Sequence, residues 1–453
     1  MEINSHHEPL LIAGQYVTAI GDHKLYYNPL GYGGVTVVDP RSQRLLDLCN
    51  GKLTVEQVCE RDGRAASEVR EEIRTLATRE VLWISERFTE ELHQGIRAKS
   101  NISCWMHLTN SCNLACSYCY IHKSPGSMSL AIARLAIDRM LESCRNHNLN
   151  SMNIKFAGGE PLLRFGLLQQ LVAYVDQMRG QVAVTYTLLT NGVLITPHIA
   201  EYLRSHSVGV GVSLDGVGPI NDTCRQDRRG RGSSDGVLKG LETLRRSGIV
   251  PTIMTTVSSW NYPHLEELTR FLLAGRYRFR YSLEREGVSG RPKLLDHLAG
   301  LEESLHRCYD FIEAHLPAED FTRLHTFGDV SFRRPARRSC GAGNSFYAVG
   351  HDGSVGVCGL GLSKPFSTLG SDGDLLTLVR QANPGLSAGS ASEYLGCRDC
   401  VWRKSCAGGC TLQAWATYGR FDAASPYCEV YRQMLPRVLR IKGLQMIRAA
   451  EAL

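Results

Sequence analysis

No apolar run in these 453 residues approaches the roughly 20 needed to cross a bilayer, so the sequence offers no membrane span. The N-terminus, Met1-Glu2-Ile3-Asn4-Ser5-His6-His7, lacks the basic and apolar stretches of a signal peptide, which predicts a cytoplasmic protein. Strong charge of one sign is also missing: the formal net charge of +6 is too small to argue for a nucleic-acid partner. In a reducing compartment disulfides are not expected, so 16 cysteines read as metal ligands or reduced thiols. A composition of 43% hydrophobic and 21% charged residues is that of a globular chain, and the length suggests about three domains.

The cysteines are unevenly spread. Six are scattered (Cys49, Cys59, Cys104, Cys144, Cys224 and Cys308) and read as small buried apolar side chains. Three stand close together in Cys112-Asn113-Leu114-Ala115-Cys116-Ser117-Tyr118-Cys119, ahead of a helical pattern that starts at Leu130. Three thiolates on one short loop can ligate three irons of a 4Fe-4S cubane and leave the fourth iron open to a small molecule. A zinc site is the alternative, although zinc usually announces itself by paired CxxC knuckles.

From about residue 100 to 285, strand-like runs at 102–108, 152–156, 182–189, 208–214, 250–257 and 277–283 alternate with helical patterns. This rhythm predicts an α/β fold with a parallel sheet and crossover helices, in which the loops after the strands carry the chemistry. The cysteine loop follows the first strand and Gly158-Gly159-Glu160-Pro161 the second. Thr190-Asn191-Gly192 follows the third, and Ser213-Leu214-Asp215-Gly216, with Arg225 twelve residues after the serine, the fourth. Two glycines let backbone approach a ligand, and Glu160 can accept hydrogen bonds from an ammonium group. Alone, such a tetrapeptide or an Asp-Gly pair is more often a turn.

The three-cysteine loop, with the aromatic Tyr118 just before its third cysteine, resembles the signature loop of the radical S-adenosylmethionine (SAM) enzymes. The resemblance implies a partial (β/α)6 barrel in which Cys112, Cys116 and Cys119 hold a cluster whose free iron chelates SAM. Reductive cleavage of SAM then gives a 5'-deoxyadenosyl radical. By the same likeness Gly158, Gly159 and Glu160 form the motif that binds the SAM amino group, Ser213 and Arg225 contact its ribose and carboxylate, and Tyr118 and Asn191 complete the cofactor site. A guanidinium forks well onto a carboxylate, which suits that role. Family sequences commonly carry a histidine before the aspartate of the intervening stretch; here it is Asn221-Asp222, which leaves the register of Arg225 open. Further arginines bunch at Arg228, Arg229 and Arg231 and at Arg333, Arg334, Arg337 and Arg338, either solvated surface or a basic rim for an acidic peptide or a cofactor carboxylate.

Beyond residue 340 the rhythm breaks. Cys340, Cys358, Cys397, Cys400, Cys406, Cys410 and Cys428 resemble, spacing for spacing, the seven-cysteine SPASM domain of peptide- and protein-modifying radical SAM enzymes. The resemblance implies two auxiliary 4Fe-4S clusters, the nearer on Cys340, Cys358 and Cys410, the farther on Cys397, Cys400, Cys406 and Cys428. Seven ligands exceed one tetrahedral zinc site. The nearer cluster lacks a fourth cysteine here, and a substrate thiolate, a distant residue such as Cys308, or water are the open alternatives. In sulfatase-maturing relatives an aspartate follows the cysteine equivalent to Cys358 as catalytic base; Gly359 stands there, which disfavours formylglycine formation. The catalytic residue stays unassigned.

Strand-like runs at 16–20, 24–27 and 35–38 followed by helical runs at 41–49, 54–61 and 66–78 predict a small winged-helix-like domain. It resembles the PqqD-like element that recognises ribosomally made precursor peptides, where a leader adds as a strand beside the third strand, here Val35 to Val38. DNA binding or plain packing are the alternatives. The expected division is 1–90 for leader recognition, 91–300 for the radical SAM barrel, with 86–100 as a helical connector, and 301–453 for SPASM. The expected function is a radical SAM maturase that makes a thioether or carbon-carbon crosslink in a precursor peptide, with decarboxylation and epimerisation left open. The expected electron donor is a flavodoxin or ferredoxin, with no nucleic-acid or membrane partner. The alternatives are a modifier of a folded protein and an iron-sulfur electron carrier with a vestigial SAM site.

Overall fold

The computed structural model describes residues 3–95, 101–285, 294–315, 335–382 and 389–451. Arg333, Arg334 and the end of the expected connector lie outside them. The chain opens with β1 (Leu10–Leu11), β2 (Tyr16–Ile20), β3 (His23–Tyr27) and β4 (Val35–Val38). Helices Pro40–Leu48, Val55–Asp62 and Ala66–Thr78 follow, then β5 (Leu82–Trp83). The Asp39 side chain caps the first helix by accepting from the Ser42 amide at 2.7 Å, and Thr54 and Gln57 form a reciprocal capping box on the second. Strands β2, β3 and β4 form an antiparallel sheet with β4 at its edge, while β1 pairs with β5. Two-residue strands such as these carry no periodicity and were invisible in the sequence.

Period-two alternation gives the three-stranded sheet two different neighbours. Tyr26 and Val38 pack with Leu45, Val58 and Ile73 of the helices behind them, whereas Ile20, Leu25 and Tyr27 join the main core of the molecule. What they meet there is the C-terminal helix Cys428–Glu451: a Cβ on Gly443 would fall 2.5 Å from Ile20 Cδ1 and 2.7 Å from Leu25 Cδ1. Arg440 donates to the carbonyl of Ala19 at 2.9 Å, and Tyr27 Oη lies 2.7 Å from Ser405 Oγ. The first ninety residues are thus clamped against the C-terminal region by a shared core.

The strands of the main parallel sheet are β6 (Asn101–Thr109), β7 (Ser151–Gly158), β8 (Ala183–Thr190), β9 (Gly209–Ser213), β10 (Thr252–Val257) and β11 (Arg278–Leu283). All six predicted runs are strands, each within a few residues of its expected ends, and they pair in parallel in sequential order. Parallel neighbours need crossovers, supplied by helices including Leu130–Asn146, Phe165–Met178, Ser234–Arg246 and Leu265–Ala274. Ile102, Cys104, Met106 and Leu108 turn to the helix-covered core, so Ser103, Trp105, His107 and Thr109 face the other side.

Beyond the barrel, β12 (Phe346–Val349) joins the same sheet in parallel beside β6, and β13 (Ser354–Gly356) and β14 (Ser367–Thr368) extend it in antiparallel fashion to nine strands. The expected boundary at 300 falls inside helix Leu298–His315, and that at 90 inside helix Glu86–Gly95. No helix among the described residues is long and apolar enough to cross a membrane.

Candidate functional site

The cysteine loop leaves the C-terminal end of β6 and is held by backbone bonds from three directions. Asn110 N donates to Gly126 O at 2.9 Å, Ser117 N to Cys224 O at 3.0 Å, and Ala115 N to Gln226 O at 2.6 Å. Cys112 is buried, and Cys116 and Cys119 are partly exposed. Each of the first two sulfurs has polar company: the Leu114 amide at 3.4 Å and Asn191 Nδ2 at 3.8 Å from Cys112 Sγ, and Arg225 Nη1 at 3.9 Å from Cys116 Sγ. Burial pushes both thiols up, opposed at Cys112 by Lys123 and at Cys116 by Arg225 and Lys123. Lys123, which the sequence reading missed, also ties the loop by donating to Leu114 O at 2.9 Å. Only its closeness in sequence to the cysteines could have drawn notice.

The glycine-rich motif abuts this loop. A Cβ on Gly158, whose φ is +121°, would meet Thr109 O at 2.4 Å, and one on Gly159 would meet Ser111 O at 2.1 Å. The glycines therefore let two loops of the protein touch, through Gly159 N to Thr109 O at 2.7 Å and Glu160 N to Ser111 O at 2.9 Å. Glu160 is wholly buried. Its carboxylate accepts from the Leu162 amide at 3.1 Å, Thr190 Oγ1 at 2.8 Å and the Asn191 amide at 2.8 Å. Burial nonetheless raises its pKa to about 6. Asn191 is buried as well and donates to Asn113 Oδ1 at 2.8 Å, so the loops after β6, β7 and β8 form one hydrogen-bonded unit.

Arg225 reaches the same place from a short helix, Pro219–Cys224, and is buried. Its Nε donates to Asp215 Oδ2 at 2.7 Å, and Tyr118 Oη donates to that same oxygen while the guanidinium stands over the Tyr118 ring. Burial works against the charge on Arg225, but the Asp215 carboxylate outweighs it and holds the pKa well above the ordinary value. Asn221-Asp222 sets the register: Asn221 Oδ1 accepts from the Asp215 amide at 3.2 Å, and Asp222 Oδ1 accepts from the Ser233 and Ser234 amides at 2.7 and 2.8 Å. Ser213, half-buried, ends β9 beside Met254. Arg228, Arg229 and Arg231 are exposed, the plain surface reading.

The seven C-terminal cysteines fall into two groups. Cys340 and Cys410 stand near enough to Cys358 for their charges to raise its pKa, beneath the larger effect of burial. Cys397, Cys400, Cys406 and Cys428 line one small cavity together with Trp402 and Tyr431. Among the described residues no three His, Cys, Asp or Glu side chains gather closely enough to hold a single metal ion. Sets of three and four thiols suit cubane clusters, and seven ligands are more than one tetrahedral zinc site takes. Cys308 is packed in the core against Tyr281 and Thr269, and all six scattered cysteines are buried. A Cβ on Gly359 would come within 2.7 Å of Tyr120 Oη and 3.2 Å of the Trp105 ring, so an aspartate there would need both to move.

Residues 106–272 match the model of the radical SAM superfamily. Over that stretch the chain is similar to the radical SAM superfamily. An uncharacterized protein of Methanocaldococcus jannaschii is 38% identical over 171 residues, 37% of this chain and 57% of that protein, so the chain spans little more than half of that relative. The mycofactocin maturase of Mycolicibacterium smegmatis is 28% identical over 361 residues, covering 76% of this chain and 86% of the maturase. The structure of Streptococcus suis SuiB bound to precursor peptide SuiA superposes with a TM-score of 0.52 at 15% identity, covering 93% of this chain and all of SuiB, a likeness of fold. Within the matched residues, the loops tied by Glu160, Asn191 and Arg225 stand against the cysteine loop.

Proposed function

We propose that this chain is a radical SAM maturase that modifies a ribosomally synthesised precursor peptide, by thioether or carbon-carbon crosslinking after hydrogen abstraction. The observation that carries the reading is one chain in which a three-thiol loop is locked to the glycine-rich loop while β4 lies at an edge of the N-terminal sheet, with no strand beyond it among the described residues. A relative named as a mycofactocin maturase, and a structure of like fold bound to a precursor peptide, support the reading. Cys112, Cys116 and Cys119 would hold the catalytic cluster, which when bound supplies the electron that cleaves SAM. Cys340, Cys358 and Cys410, and Cys397, Cys400, Cys406 and Cys428, would hold two auxiliary clusters.

Gly158, Gly159 and Ser213 present backbone and hydroxyl to SAM. Glu160 and Arg225 contribute to the cofactor site, and their bonds within the protein also fix the loops around it. The edge of β4 receives the leader as an added strand. The setting is cytoplasmic, and a flavodoxin or ferredoxin delivers the electron.

Anaerobic reconstitution tests this. The protein should take up about twelve irons, and replacing Cys112, Cys116 and Cys119 by alanine should remove about one third of them together with all SAM cleavage. Iron near four per chain in the intact protein, or zinc in its place, would overturn the assignment.

A further inference from the structure

Strands β6 to β11 contain no aspartate or glutamate, and their only lysine or arginine residues are Lys155, Arg278 and Arg280. Lys155 pairs in register with Trp105 on β6 and Thr187 on β8, so it shares the face of Trp105 and His107, opposite Ile154 and Phe156, which fill the helix-covered core. Its ammonium lies 5.9 Å from the ring centroids of both Trp105 and Phe346. That is the outer limit of a cation-π contact, about 6 Å. Among the described residues no carboxylate comes within ion-pair reach of it.

Burial, and then the charge of Arg280, lower the Lys155 pKa. Arg280 belongs to β11, three strands beyond the nearest neighbour of β7, so the sheet curls far enough to bring both cations to one interior. A partly desolvated ammonium in a positive field, with aromatic rings as its nearest company, is a costly arrangement that an anion would relieve.

Depth separates this point from the cofactor loops. Lys155 precedes Gly158 by three strand residues, about 10 Å at the usual rise per residue. A carboxylate of SAM held at the cysteine loop would lie at the loop level, whereas Lys155 lies below it. Trp105 also stands close to the position of Gly359, next to Cys358, where Tyr120, next to Cys119, also approaches.

We propose that Lys155 receives a carboxylate of the peptide substrate inside the barrel, with Trp105 and Phe346 covering the methylenes that lead to it. The proposal rests on the peptide-maturase reading for the identity of the ligand. The carboxylate is either an acidic side chain or the end of a chain, and one charge-assisted contact serves both. Lys155 thereby selects which residue of a peptide enters the barrel.

The test uses the full chain with its lysines reductively dimethylated with 13C, the Lys155 resonance being the one missing from Lys155→Arg. Three N-acetylated tetrapeptides serve as probes: one with glutamate and an amidated C-terminus, one with glutamine and a free C-terminus, and one with glutamine and an amidated C-terminus. At least one of the two anionic peptides should shift the Lys155 resonance saturably and the neutral one should not; which anionic peptide acts tells side chain from terminus. By calorimetric titration with the same peptide, Lys155→Gln should bind about tenfold or more weakly than wild type and Lys155→Arg should bind like wild type. A shift by the neutral peptide equal to that of the anionic ones, a shift by SAM alone, or no shift by any probe would overturn the proposal. Iron content and SAM cleavage are measured on the same samples, so a failure of the maturase reading is seen separately from a failure of carboxylate binding.

Discussion

Glu160 and Arg225 look in the sequence like charged hands held out to a cofactor, and in the folded chain each already grips the protein. Glu160 answers two backbone amides and a threonine hydroxyl, and Arg225 answers Asp215. His107 is the opposite case, a residue with no sequence signal that the fold buries, leaving its Nε2 without a hydrogen-bond partner among the described residues. Burial, with help from His351, depresses its pKa from the ordinary 6.5 to about 4. Between those values the unfolded chain binds the proton and the folded chain does not, so this contribution to stability is full above pH 6.5 and is lost as pH falls toward 4. At about 1.4 kcal/mol per unit the loss amounts to about 3 kcal/mol. The difference in unfolding free energy between His107→Gln and wild type should therefore shift in favour of the variant by that amount from pH 7 to pH 4, as read by denaturant titration. A difference that does not change with pH would show that the ring is hydrated.

At the scale of elements, the candidate site is a meeting of loops after β6, β7, β8 and β9, and its tightest seam is the one between Gly159 and Ser111. The Cβ of an alanine at 159 would sit 2.1 Å from a backbone oxygen, which cannot rotate away as a side-chain tip can. Gly159→Ala should push the loop after β7 from the cysteine loop while β7 itself, anchored by buried Met152, Ile154 and Phe156, stays in the sheet. The expected result is loss of about one third of the bound iron with near-native circular dichroism. Full iron loading in that variant would mean the seam opens freely and the glycine serves another end.

Across the whole molecule the N-terminal sheet and the cysteine-rich region are one packed body. Tyr16 lies 5.3 Å and Tyr27 6.2 Å, ring to ring, from Trp402, and Trp402 lines the four-cysteine cavity. Residues 1–90 look separable in the sequence because no catalytic motif lies in them, yet removing them would bare the face of helix Cys428–Glu451 that holds Gly443 and would strip one wall from Trp402. Exposing so continuous an apolar face favours aggregation. The truncated chain is expected to lose iron from the four-cysteine group as well as peptide processing, seen as about one third less iron than the intact protein under equal reconstitution. If truncation spared all the iron, the contact would be a docking surface and not part of the core.

Local pattern was enough for much of this chain. The short apolar runs located all six strands of the main sheet, because a buried parallel strand must be apolar whatever its neighbours, and the spacing of Cys112, Cys116 and Cys119 marked one loop because it is a property of adjacent residues. The order of three strands and three helices at the N-terminus was legible for the same reason, with caps at Asp39 and Thr54 that act over three residues. What local pattern could not carry were contacts between residues far apart in sequence: the seam of Gly159 on Ser111, the pairing of Arg225 with Asp215 beneath Tyr118, the entry of β12 into the barrel sheet, and the burial of Ile20 and Leu25 on Gly443. Side chains such as Glu160 and Lys155 are chemically able to do several things, and sequence fixes that repertoire. Which of them already has a carboxylate or amide partner and which does not depends on the surrounding groups, and only tertiary packing sets those.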